Sequence, residues 1–147
     1  MGWLSGAPAR RARARGALLL FAVLGSLGAC GGGGATPQAS PGERAYATNC
    51  LSCHQKNGEG VRGLQPPLAG TPVPVGDPAA LLGWVMYGER PAALPRGQYA
   101  GVMPQFAYLK DTDLAALLTY VRSSFGNHAG AVTPAMVAAA RAAHRGG

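Results

Sequence analysis

A chain of 147 residues has room for one domain rather than two. Only 13% of the residues are charged, against 23 glycines and 12 prolines, so much of the chain must be loop or must wrap something other than its own side chains. The net charge of +7 falls to +3 (nine basic against six acidic) without Arg10, Arg11, Arg13 and Arg15, which argues against a nucleic-acid surface, and three cysteines exclude a multi-disulfide scaffold.

The basic residues 10–15 precede an uncharged stretch of 14 residues, GALLLFAVLGSLGA, at 16–29. A membrane-spanning helix needs about 20 residues, so residues 1–29 read as a signal peptide. The stretch ends in Leu27-Gly28-Ala29-Cys30, which resembles a bacterial lipobox. There the cysteine, Cys30, is acylated and becomes the new N-terminus. The plainer alternative is cleavage near Ala29 with Cys30 a spare thiol, a liability on an exported tail. Residues 30–41 are Gly-rich and uncharged, as in a flexible linker. The expected location is the periplasm, lipid-anchored to a bacterial membrane, with the folded domain over 42–127.

A first helix is predicted over 42–53, running into Cys50-Leu51-Ser52-Cys53-His54. This C-x-x-C-H spacing reads as a c-type haem attachment site. Two thiols add across the two haem vinyl groups, and the next histidine places its imidazole on the iron. A zinc site would need four ligands, yet no cysteine follows Cys53, and His128 and His144 lie in a turn and a tail, where they read as surface residues. A thioredoxin-like pair would need a βαβ context, and no strand pair is predicted. One covalent haem c is therefore expected on Cys50, Cys53 and His54. The cysteine count then resolves as one for lipid and two for haem.

Residues 55–78 are predicted as loop, with no helical option for Thr71-Pro72-Val73-Pro74. Asp77-Pro78 combines an N-cap with a first-turn proline and starts a helix to about Tyr87, stopped by Gly88. Residues 89–105 form a loop over the other face of the haem. Asp111 is the predicted N-cap of a helix to about Ser124, on which Leu114, Leu117, Leu118 and Val121 share a face. Gly126-Asn127 closes it. Thr133-Pro134 starts a last helix to about His144, inside a helical extension at 128–147. Leu64, Leu68, Trp84, Val102 and Phe106 are expected to pack on the haem, and Met86 and Met136 in cores.

These features resemble the class I cytochrome c family over about residues 42–125. Gly42 and Tyr46 precede Cys50 at helical spacing, Asn57-Gly58-Glu59-Gly60 and Pro66-Pro67-Leu68-Ala69-Gly70 follow His54, and LAALLTYVR at 114–122 is similar to the family's last helix. The resemblance implies an all-α fold of haem-wrapping helices with long Gly/Pro-rich loops. It implies that the Pro66 carbonyl accepts the other ring N–H of His54, fixing the ring. It also implies that Met103, in Tyr99-Ala100-Gly101-Val102-Met103-Pro104-Gln105-Phe106, is the sixth iron ligand. A neutral thioether there favours the reduced iron. Trp84 and Tyr99 are candidates for hydrogen bonds to haem propionates, or for core and loop packing. Arg62, Arg90 and Arg96 are candidates for propionate or partner contacts, or are merely solvated.

The run from Tyr120 to Asn127, with Ala131-Val132-Thr133-Pro134, Val137 and Arg141, is similar to cytochrome c domains of membrane-bound alcohol, aldehyde or sugar dehydrogenases. One C-x-x-C-H matches one such domain rather than a multi-haem subunit. With both axial positions filled and no further acid, base or metal, the expected role is electron transfer rather than enzymatic bond chemistry. The expected donor is a periplasmic dehydrogenase or quinol-oxidising complex, and the acceptor a terminal oxidase or reductase. A haem enzyme or gas sensor with a labile Met103 is the alternative.

Overall fold

The computed structural model describes residues 38–146. The expected signal peptide, Cys30 and most of the linker lie outside the described residues. Among those described there are helices and long connections but no strand, only an isolated bridge between Val61 and Gln65. This is the expected all-α class. No described helix is long and apolar enough to cross a membrane.

Helix α1 (Pro41–Asn49) starts where Ser40 accepts a hydrogen bond from the Glu43 amide at 3.1 Å, with proline in the first turn and Glu43 near the positive helix end. The expected unbroken helix to residue 53 is instead two pieces. Cys50 turns out of helical geometry (φ −122°), and α2 (Leu51–His54) follows. The break loses few bonds, because the Cys50 amide still reaches Tyr46 O, and the Cys50 carbonyl takes the amides of Cys53 and His54.

The Thr71–Pro74 region also departs from expectation. Pro72–Val75 forms one helical turn, α3. A single turn tolerates both prolines, because its first N–H groups have no intrahelical partner to lose. Helix α4 (Pro78–Tyr87) begins as predicted, with the Asp77 carboxylate accepting from the amides of Ala79 and Ala80, and stops at left-handed Gly88. Helix α5 (Asp111–Ser123) has Lys110, not Asp111, as its N-cap. Asp111 is the first helical residue, and its carboxylate points to Arg141 instead. Helix α6 (Pro134–Gly146) completes the order.

Helices α1 and α5 cross at Gly42. A Cβ there would lie 2.7 Å from Tyr120 Cβ and closer still to the Ala116 carbonyl, so only glycine permits this approach. Beyond the crossing, the buried Tyr46 ring meets Tyr120 and Phe125 at centroid distances of 5.5 and 5.2 Å. The main core joins Leu81, Leu82 and Met86 of α4, Leu114 and Leu118 of α5, Val137 of α6, and Phe106 from a loop. Each such side chain contributes about 1.5–3 kcal/mol when fully buried.

Two polar residues fasten the 68–76 connection to α5. Arg122, buried and with no carboxylate partner among the described residues, donates from Nη1 to the carbonyls of Pro74 (2.7 Å) and Gly76 (2.9 Å) and from Nε to Gly130 (2.6 Å). Asn127 donates to the carbonyls of Leu68 and Val121 and accepts from the Gly70 amide.

Candidate functional site

The bend at Cys50 and the short helix α2 set Cys50, Cys53 and His54 at the mouth of an apolar cavity. Its larger lobe, about 290 Å³, lies between α4, α5 and the connections at 66–74 and 93–103. A smaller lobe of about 110 Å³ adjoins Cys53, Phe106 and the 101–104 segment. Cys50, His54, Pro66 and Met103 line both lobes. The chain thus brings its two thiols, one imidazole and one thioether around a single space, although Met103 follows His54 only after a long, largely irregular stretch.

His54 Nδ1 lies 3.0 Å from the Pro66 carbonyl oxygen. A carbonyl only accepts, so Nδ1 carries the proton and Nε2 keeps its lone pair for a ligand role. Burial lowers the His54 pKa, partly offset by the bond to Pro66, which keeps the ring neutral. Burial, and secondarily Cys53, pushes the Cys50 thiol up to about 11. The Tyr46 hydroxyl donates to the Gln55 carbonyl at 2.6 Å, tying α1 to the residue after His54. Burial first, then Cys50 and Tyr120, raises its pKa to about 12.

Among the described residues no Lys, Arg, Asp or Glu lines either lobe. Among the described residues no group of three or more His, Cys, Asp or Glu could hold a bare metal ion. Apolar walls with an imidazole, a thioether and two thiols suit a flat apolar macrocycle carrying its own iron. The residues present fit haem c.

The other expected residues are distributed unevenly. Leu68, Trp84 and Tyr99 line the larger lobe, and Phe106 the smaller. Arg90 lies over the Trp84 ring at 5.9 Å and bonds the Pro95 carbonyl, so it is not merely solvated. Arg62 shares a shallow cleft with Gln98 and Tyr99, and Arg96 is exposed. Leu64 is 48% exposed and lines neither lobe, contrary to expectation, because the turn at 61–65 aims it outward while its carbonyl takes the Gly101 amide. Val102 is 90% exposed at the lip of the smaller lobe rather than packed within. Met86 is fully buried in the core, and Met136 packs against it. His128 is exposed, and His144, although exposed, stacks on Tyr87. Sequence reasoning missed Arg122 and Asn127. Their one local signal was a cation and an amide beside an apolar helix face.

An apolar cavity of this kind, with a thiol pair next to a neutral imidazole and a thioether across the chain, defines a haem-bearing electron carrier. The chain belongs to the cytochrome c family, whose model matches residues 39–125. It is 36% identical over 115 residues to cytochrome c-552 of Thermus thermophilus, covering 75% of this chain and 72% of that protein. It is 35% identical over 94 residues to the cytochrome c subunit of the quinone alcohol dehydrogenase of Gluconobacter oxydans, covering 63% of this chain and 20% of that subunit. Against the gluconate 2-dehydrogenase cytochrome c subunit of Pantoea cypripedii it is 32% identical over 97 residues, covering 64% of this chain and 22% of that subunit. Membership brings covalently bound haem c and a role in electron transfer rather than catalysis.

Proposed function

We propose that this chain is a monohaem cytochrome c, tethered in the periplasm by a lipid on Cys30. It carries single electrons from a dehydrogenase or quinol-oxidising complex to a terminal oxidase or reductase. In this reading residues 1–29 are the signal peptide, 30–41 the linker, 42–127 the haem domain and 128–147 a helical extension. Cys50 and Cys53 would hold the haem through thioethers, and His54 Nε2 and Met103 Sδ would ligate its iron. The observation that carries the site assignment is that His54 and Met103 line both lobes of one cavity with Cys50.

Bound haem supplies a one-electron couple at its iron. The chain's residues set the conditions around it. Pro66 holds His54 in one tautomer and one orientation. The apolar walls from α4 and α5 exclude water. Trp84 and Tyr99 offer hydrogen bonds to the propionate edge. Outside, the exposed Val102 beside Met103 is an apolar contact point suited to brief encounters with a redox partner. The dehydrogenase cytochrome subunits among the relatives favour a dehydrogenase as donor. The basic and apolar N-terminal segments and Cys30 support export and tethering.

The test is a mild-detergent pull-down of the full-length protein from its own membranes, followed by addition of alcohols, aldehydes and sugars while haem reduction is monitored. Co-purification of a dehydrogenase whose substrate reduces the haem assigns the chain to that enzyme. Reduction by quinol-oxidising membranes, with reoxidation by oxygen or nitrite and no stable partner, makes it a free shuttle. For the axial ligand, the reduced protein should not bind carbon monoxide readily at neutral pH, and Met103→Ala should. Rapid binding by the unaltered protein would instead favour a gas sensor.

A further inference from the structure

The segment after Met103 is held from two sides. On one side α4 takes it: the Phe106 amide donates to Val85 O at 2.9 Å, and Gln105 Nε2 to Tyr87 O at 3.0 Å. On the other side stands Arg141 of α6. Its Nη1 donates to Ala107 O and its Nη2 to Leu109 O, both at 2.5 Å, while Nε pairs with Asp111 Oδ1 at 2.8 Å. One guanidinium thus gathers two loop carbonyls and the first residue of α5.

Helix α6 is itself firmly placed. Val137 is fully buried in the core, and the His144 ring lies on Tyr87 at a centroid distance of 3.6 Å while its Nδ1 meets Glu89 at 3.0 Å. His144 thus touches Tyr87, the last residue of α4, whose carbonyl holds Gln105, and Glu89 just beyond the helix. Helix α6 also lies beyond residue 125, where the match to the family model ends. The restraint is therefore added from outside the matched haem domain.

We infer that α6 is a clamp on the methionine loop and that Arg141 is a positioning residue for Met103. This rests on the reading of Met103 as the axial ligand. A ligand on a long loop binds only while the loop holds the competent arrangement, and its apparent affinity falls with that fraction. Three charge-assisted bonds from a rigid fork raise the fraction without touching the sulfur. Lysine carries its three donors on one nitrogen and cannot span acceptors that three separate guanidinium nitrogens reach.

The test uses the haem-loaded full chain and the variants Arg141→Gln, Arg141→Lys, Met103→Ala and, as a control that strains a remote contact, Gly42→Ala. Two readouts are taken well below the unfolding temperature: the far-red sulfur-to-iron charge-transfer band of the oxidised protein and the rate of carbon monoxide binding to the reduced protein. Both Arg141 variants should weaken the band and speed carbon monoxide binding by roughly tenfold, the equivalent of one lost charge-assisted bond. Gly42→Ala should lower the melting temperature and leave both readouts alone. If the unaltered protein shows the band and the Arg141 variants match it in both readouts, losing only melting temperature, the clamp is overturned and Met103 stands. If the unaltered protein lacks the band and Met103→Ala changes nothing, the ligand assignment fails and the clamp fails with it.

Discussion

Gly60 lies directly against Pro66: a methyl group on Gly60 would meet the Pro66 carbonyl oxygen at 2.6 Å, the same oxygen that faces His54 Nδ1. Gly60 also has φ +65°, a left-handed conformation that costs other residues free energy. One glycine therefore sets both the turn and the position of the acceptor that orients the imidazole.

Gly60→Ala should lower stability by about 2–4 kcal/mol, from left-handed strain plus the displaced carbonyl. It should also raise the haem reduction potential, since an imidazole that no longer donates to Pro66 is a poorer electron donor to oxidised iron. Denaturant titration and a potentiometric titration check the two effects separately. Lower stability with an unshifted potential would show that the Pro66 contact does not tune the iron.

Tyr46 gives a pH dependence of definite sign. Its folded pKa, about 12, lies above the ordinary 10.0, so the folded state keeps a proton that the unfolded state gives up. The stabilisation is complete below pH 10 and is lost as pH rises through about 12. The Cys50 share of the shift disappears once that sulfur is a thioether and cannot ionise, leaving burial and Tyr120. Tyr46→Phe should flatten the alkaline arm of a stability–pH curve. An unchanged arm would place the titrating group elsewhere.

Arg122 satisfies three carbonyls from a buried position. Arg122→Met keeps much of the volume but leaves those acceptors bare, which should cost about 3 kcal/mol or more in chemical denaturation. Arg122→Lys should recover little, because one ammonium cannot serve carbonyls on separate segments at once. Full recovery by lysine would mean that charge, not fork geometry, is what the site needs.

Val102 tests the proposed docking surface. It is 90% exposed beside Met103, so Val102→Glu should leave the absorption spectrum unchanged and stability within about 0.5 kcal/mol. A charge desolvated against an apolar partner should slow reduction by the donor roughly tenfold. Equal rates for both proteins would move the electron-transfer contact to another face.

Local chemistry was legible in the sequence. Asp77-Pro78 and Gly88 bounded α4, and the C-x-x-C-H spacing located the cavity's mouth. What escaped was anything set by distant partners. Nothing near Arg122 announces carbonyls 46 and 48 residues away, and nothing near Arg141 announces Ala107. The turn at Pro72–Val75 escaped because proline rules speak to helix interiors, and one turn has none. The break at Cys50 escaped because apolar periodicity reports a face, not the continuity of an axis.

The ties from Arg122 and Asn127 to residues 68–76 also impose an order of assembly. Contacts so far apart in sequence form late, because a long loop must close before they contribute. Until the end of α5 is in place, the connection that floors the cavity has nothing to rest on, and the segment with Cys50 and Cys53 remains open. In that state the two thiols face an unroofed pocket. The last turns of α5 shut the pocket after the cofactor can enter.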